Sequence, residues 1–266
     1  MKITIVGCGN MGLVYARAFI RYNIVKPEDL LLVEKSEARK EELKQLNIGV
    51  VVTPTDPKVS ESDMLILAVK PQDFKDLAPV LRHMLHKKAI VLSIMAGIRI
   101  SQLEELLGHP NIARAMPNSP VEIGMGITGF STSRHLEMDQ VRKVENLLST
   151  TGRTVFFERE EMLDAVTALS GSGPAYFFYI VKAMIEAGIA MGMEEPVAGM
   201  LVKQTMLGAF HLVNNANKSL DELIKTVASK GGTTEAAFSV FNAKQVGEHI
   251  VEGIVAAEKR ARELSS

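Results

Sequence analysis

Tryptophan is absent from this chain of 266 residues, and cysteine occurs once, at Cys8. A single cysteine excludes an internal disulfide framework and any cysteine-rich metal site, and it fits a reducing compartment. Excess charge of one sign is lacking too. The 30 Lys and Arg residues face 31 Asp and Glu, for a net charge of -1, so nothing draws the chain generally to nucleic acid or to an anionic membrane. No apolar run approaches the roughly 18 residues that a membrane-spanning helix needs. Among the six histidines, His83 and His86 are expected on one helix face, but no cysteine or acid stands at ligand spacing and no metal is expected. The first residues, Lys2–Val6, already read as a strand, which leaves no room for a cleavable leader. A cytoplasmic protein with a small-molecule partner is the expectation.

The length suits two domains. From the start to residue 158, short Val- and Ile-rich runs alternate with amphipathic stretches, the pattern of buried parallel strands joined by helices. Strands are expected near Ile3–Val6, Leu30–Glu34, Val50–Val52, Met64–Ala68, Ala89–Ser93 and Ile112–Ala115. Gly126–Phe130 and Thr154–Glu158 would extend the sheet. Ser36 can cap a helix running to Leu46, and Ser101 with Glu104 forms a capping-box pattern. From residue 159 to 266 the apolar residues recur at helical spacing, through Met162–Leu169, Ala175–Met191, Val197–Val213, Leu220–Val227 and Ala237–Ala261. The fold class is therefore α/β: a doubly wound sheet over 1–158, then an all-α domain over 159–266. Small residues Ala183, Ala187, Gly188, Ala190 and Gly192 along one helix permit close packing, within the subunit or across a subunit interface.

The first strand runs directly into Gly7-Cys8-Gly9-Asn10-Met11-Gly12 and then into a helical stretch. This is the GxGxxG arrangement in its working context. Gly7 permits the tight turn, Gly9 lets the backbone approach a pyrophosphate, and Gly12 lets helix and strand pack closely. Asn10 and Met11 open the helix, whose N-terminus attracts phosphate. Glu34, at the end of the second strand about twenty residues past Gly12, is placed to bind adenosine ribose hydroxyls, which favours NADH over NADPH. Lys35 beside it could turn toward a 2′-phosphate and offset that preference. A third segment, Ala68-Val69-Lys70-Pro71, ends a buried strand at the carboxyl edge, where such sheets bind their ligands. In the helical half, Ser229-Lys230-Gly231-Gly232-Thr233-Thr234 precedes a helix, so that backbone N–H groups can converge on an anion; an ordinary hydroxyl helix cap is the competing account.

Those segments, with Met116-Pro117-Asn118-Ser119-Pro120, Leu169–Tyr176 and Ser229–Ala237, closely resemble the pyrroline-5-carboxylate reductase family from end to end. The resemblance implies a Rossmann-type N-terminal domain and a helical dimerisation domain, with a homodimer that some members assemble into a decamer. It implies NAD(P)H-dependent reduction of 1-pyrroline-5-carboxylate to L-proline. By the same resemblance Ala68–Pro71 lies along the cofactor, and Ser229, Gly231, Gly232 and Thr233 hold the substrate carboxylate. Thr234 contacts the ring nitrogen, and Asn118 shapes the wall by the nicotinamide or serves only as a rigid turn. Lys230 departs from the family's usual proline, Lys225 from a position often acidic, and Met125 from a frequent glutamate. Asp56 stands where relatives that bind a 2′-phosphate often carry a neutral polar group, which agrees with the preference for NADH. Two other readings are a catalytically inactive nicotinamide sensor and a β-hydroxyacid dehydrogenase, which would need Lys182 or Lys203 as its acid-base group.

Overall fold

Short, mostly apolar runs, broken by the buried Thr4, Ser93 and Arg114, are satisfied as strands covered on both faces. They form β1 (Ile3–Val6), β2 (Leu30–Val33), β3 (Val50–Val52), β4 (Met64–Leu67), β5 (Ile90–Ser93) and β6 (Ile112–Met116) in the computed structural model, which describes residues 1–265. Two further strands, β7 (Gly126–Thr132) and β8 (Gly152–Phe156), complete one sheet in the order β3-β2-β1-β4-β5-β6-β7-β8. The first six are parallel; β7 runs antiparallel to β6, and β8 parallel to β7.

The crossovers are α1 (Asn10–Arg21), α2 (Glu37–Leu46), α3 (Pro71–Met84) and α4 (Ile100–Leu107), with α5 (Met138–Leu148) before β8 and the short α6 (Met162–Val166) after it. Tyr15, Phe19, Leu43, Val144 and Leu148 fill one side of the sheet, and Phe74, Leu81, Leu103 and Leu107 fill the other. Because β2 and β4 flank β1 on opposite sides, the chain reverses its winding direction there and opens a crevice at the carboxyl ends of the three strands.

Residues Met1–Ser172, with the segment from Ala257 onward, make one compact unit, and Gly173–Ala256 make the second. The remaining helices are α7 (Gly173–Ala190), α8 (Glu195–Asn215), α9 (Leu220–Val227), α10 (Thr233–Ala243) and α11 (Val246–Leu264). In the second unit the small-residue stripe is used at least in part within the subunit: a Cβ on Gly188 would lie 2.8 Å from the Cβ of Ala198 on α8.

Three local expectations are corrected. Ser101 does not cap α4. Arg99 does, its amide bonded to Gln102 Oε1 at 2.9 Å, while the Ile100 amide reaches Glu160 Oε1 at 2.9 Å. The buried Ile100 has to enter the helix as its first residue, and this displaces the start by two positions. The stretch 237–261 is two helices, since Gln245 adopts φ 53 between α10 and α11. His86 lies beyond the end of α3, where its Nδ1 accepts the Lys88 amide, so it shares no helix face with His83.

Candidate dinucleotide and anion sites

The glycine turn is built as its spacing requires. Gly7 has φ 93, and a Cβ there would strike Val69 Cγ1 at 2.7 Å and the carbonyl carbon of Ala68 at 2.9 Å. The Gly7 amide donates to Val33 and the Ala68 amide to Val6, which fastens the ends of β1, β2 and β4 together. Gly9 is the N-cap of α1, with no side chain capping the helix and nothing within 4 Å of its missing Cβ. Exposed Asn10 and half-buried Met11 follow it, and Met11 packs on the core. This is a bare, positively polarised helix start beside open space, which fits a pyrophosphate.

Glu34 stands next to it. One carboxylate oxygen accepts the amides of Lys35 (2.8 Å) and Ser36 (3.1 Å), and the other accepts the Cys8 amide at 3.2 Å. The acid is thus pinned between the glycine turn and the start of α2, which Ser36 caps by accepting the Arg39 amide. Arg39 closes the ring by donating from Nε to the Cys8 carbonyl at 3.3 Å. Below the turn, burial first and the Glu34 charge second push the Cys8 thiol up to about 12.

A cleft of about 420 Å³ opens along Gly7, Gly9, Glu34, Lys35, Ala68, Val69 and Lys70. Two glycines of the turn, the pair that follows β2 and the three residues that follow β4 are thus gathered on one surface. Pro71 starts α3 behind Lys70. Lys35 does not stand free for a phosphate: its Nζ pairs with Asp73 Oδ1 at 2.7 Å. Asp73 and Asp76 also line the cleft, and sequence reasoning missed both; for Asp73, nothing in a first-turn helical acid announces a partner 38 residues away. Asp56 is absent from the lining. Its carboxylate accepts the Lys58 amide at 2.9 Å and caps a short 3-10 turn.

Asn118 is buried, and its Oδ1 accepts the Ile127 amide at 2.9 Å, bracing the loop after β6 against β7. This bond ties the loop to the first residues of β7. Lys182 and Lys203 lie exposed on α7 and α8, and Lys182 pairs with Glu186 at 3.7 Å.

In the second unit, Ser229, Gly231 and Gly232 form the turn ahead of α10, with Gly231 at φ 72 and Gly232 as N-cap. No side chain caps this helix either. The loop satisfies two amides itself: Gly231 donates to Glu235 Oε2 at 2.6 Å and Gly232 to the Ser229 carbonyl at 3.0 Å. Thr233 and Thr234, in the first turn, keep amides without a partner among the described residues, and the Thr234 side chain is half-buried. A carboxylate therefore does sit on this nest. It is the chain's own Glu235, four residues past Gly231.

Residues 2–97, the glycine turn with β1–β5, match the family model described as NADP oxidoreductase, coenzyme F420-dependent. The chain is an NAD(P)-dependent oxidoreductase. Residues 160–264 match the pyrroline-5-carboxylate reductase dimerisation model. The chain is 33% identical over 266 residues to the pyrroline-5-carboxylate reductase of Vibrio alginolyticus, covering 99% of this chain and 97% of that one. A solved pyrroline-5-carboxylate reductase from Coxiella burnetii superposes with a TM-score of 0.89 at 31% identity, over 100% of this chain and 98% of the other. The Plasmodium falciparum structure, solved with NADP bound, shares the fold at a TM-score of 0.89 and 24% identity, over 100% and 98% of the two chains. This protein belongs to the pyrroline-5-carboxylate reductase family.

Proposed function

We propose that the chain reduces 1-pyrroline-5-carboxylate to L-proline, with NADH favoured over NADPH. The observation that carries this reading is the likeness along the whole chain, with the dinucleotide turn and the 229–237 segment both in place. The open backbone at Gly9 and the uncapped α1 fit a dinucleotide, which Gly7–Gly12, Glu34 and Ala68–Pro71 would hold, with Lys35 lining the cleft but paired to Asp73. When bound, the reduced nicotinamide supplies the hydride.

The rest of the chemistry falls to the chain. Ser229–Thr234 binds the substrate carboxylate, with the amides of Thr233 and Thr234 as donors already open and that of Gly231 released by a shift of Glu235. The Thr234 hydroxyl accepts a hydrogen bond from the iminium N–H and fixes the ring, while Asn118 holds the wall of the nicotinamide region. Orientation of a reactive iminium supplies much of the catalysis, so no strong acid is needed. The preference for NADH rests on Glu34, whose carboxylate would meet a 2′-phosphate with like charge.

We place the protein in the cytoplasm as a homodimer, with such dimers assembled into a decamer as the family expectation. Large apolar side chains stand open along the second unit, among them Phe178, Tyr179 and Leu212, at 69%, 76% and 60% exposure, and such surface calls for a partner. Among the described residues no helix is long and apolar enough to cross a membrane. Initial rates at the reduced-nicotinamide absorbance band, with pyrroline-5-carboxylate and each cofactor in turn, test the proposal. Consumption of neither cofactor refutes it, and an advantage of about tenfold for NADPH in kcat/KM refutes the preference.

A further inference from the structure

Two cations stand by Glu34, Lys35 next to it in sequence and Arg39 through their common partner Cys8, and both are engaged. Arg39 donates to the Cys8 carbonyl through Nε and pairs with Glu42 through its terminal nitrogen. Lys35 reaches out of the β2 end to Asp73, in the first turn of α3, at 2.7 Å. The Glu42 pair is local, three residues away on the same helix. The Asp73 pair is not: it joins two crossovers 38 residues apart, and both partners line the dinucleotide cleft.

The consequence for a ribose 2′-phosphate is electrostatic. Three carboxylates, those of Glu34, Asp73 and Asp76, line this cleft. Lys70 lines it as well, but it follows β4, two strands from β2, so its backbone stands roughly 10 Å from that of Glu34. The cation nearest to Glu34 along the chain is Lys35, and its ammonium is paired to Asp73.

We propose that Asp73 is a cofactor-selecting residue, which withdraws Lys35 from the ribose edge and so turns the cleft against NADPH. The proposal rests on the dinucleotide reading above and deepens it, since Glu34 alone explains a preference that Lys35 would otherwise offset. Asp73 acts through Lys35 and not by its charge alone. That distinction decides the test.

The experiment is calorimetric titration of the full-length protein with NADH and with NADPH, without substrate, so that affinity is read independently of turnover. Asp73→Asn keeps the side chain's shape and removes its charge. The ratio of NADPH to NADH affinity should rise by about tenfold, as expected for one freed lysine near a phosphate in a solvent-exposed site. Asp73→Ser, the second variant, should shift the ratio in the same direction. Adding Lys35→Ala to Asp73→Asn should abolish the gain. An unmoved ratio in both single variants overturns the proposal, as does a gain that survives in the double variant, which would assign the effect to the lost carboxylate alone. If the unaltered chain bound neither nucleotide, the dinucleotide reading would fall first; binding with an unmoved ratio removes only the role of Asp73.

Discussion

A Cβ on Gly12 would lie 2.1 Å from the carbonyl oxygen of Gly7. The first helix therefore rests on the first strand with room for a hydrogen atom and nothing more. At Gly9 the same construction meets nothing within 4 Å, so the two glycines are needed for different reasons. Gly12 serves the protein's own packing, and Gly9 leaves open space beside the uncapped start of α1.

Substitutions at the two positions should separate these roles. Gly12→Ala forces backbone apart and should cost about 1–3 kcal/mol or more of stability, in the range of overpacked cores, with dinucleotide binding lost as well. Gly9→Ala should melt near the unaltered protein yet bind NADH poorly. Thermal melts alongside calorimetric titration check both, and a Gly12→Ala protein of unchanged stability would contradict the packing account.

Cys8 is inert by position. Its thiol lies under the glycine turn with no exposed surface, and burial, then Glu34, push its pKa up to about 12. Iodoacetamide at pH 8 should modify it slowly in the folded protein and readily in denaturant. The same shift makes a sign prediction. An unfolded cysteine ionises near pH 8.5, below the folded value, so between the two the unfolded chain binds fewer protons and stability falls as pH rises, by at most about 1.4 kcal/mol per unit. Cys8→Ala should flatten that part of the stability curve.

Much of the fold was legible because its signals are local. Strands covered on both faces write themselves as apolar runs, the turn at Gly7–Gly12 is set by three fixed positions, and Ser36 caps the helix it precedes. What escaped depends on distant partners. Ser101 with Glu104 fits the capping pattern, but burial of Ile100 and the bond from Glu160 start the helix earlier. The break falls on Gln245 itself, a residue type that does not announce a positive φ. At the candidate site, the glycines and Glu34 could be read from spacing, whereas Asp73 on Lys35 and Glu235 on Gly231 are side-chain choices that only the folded loop settles.

The least legible feature is a buried ionic cluster. Arg114 on β6 bonds Glu160 at 2.8 Å and faces Asp164 at 3.7 Å, and the side chains of Arg114 and Asp164 are only 3% and 2% exposed. Asp164 also bonds Arg99 at 2.7 Å and accepts the Ser265 hydroxyl at 3.1 Å, which ties the end of α11 to the sheet domain. Asp164→Ala strips a carboxylate from two arginines and should cost about 3–5 kcal/mol. Urea unfolding measures it; a loss below about 1 kcal/mol, the range of exposed pairs, would mean that water already screens the cluster.

Thr234 carries the chemical prediction. A hydrogen bond to a charged group contributes about 1.5–3 kcal/mol, so Thr234→Ala should lower kcat/KM by roughly 10- to 150-fold if that bond tightens as the imine is reduced. Thr234→Ser should recover most of the loss. Unchanged steady-state kinetics in the alanine variant would remove Thr234 from the mechanism.

The central claim is that the turn before α10 grips the substrate by its carboxylate. Its most direct measurement compares kcat/KM for pyrroline-5-carboxylate with that for 1-pyrroline, the same cyclic imine without the acid group, under one saturating cofactor. The account predicts a loss of about 100-fold or more for the smaller imine, since two or more charge-assisted hydrogen bonds vanish with the carboxylate. Equal efficiency for the two imines would contradict it.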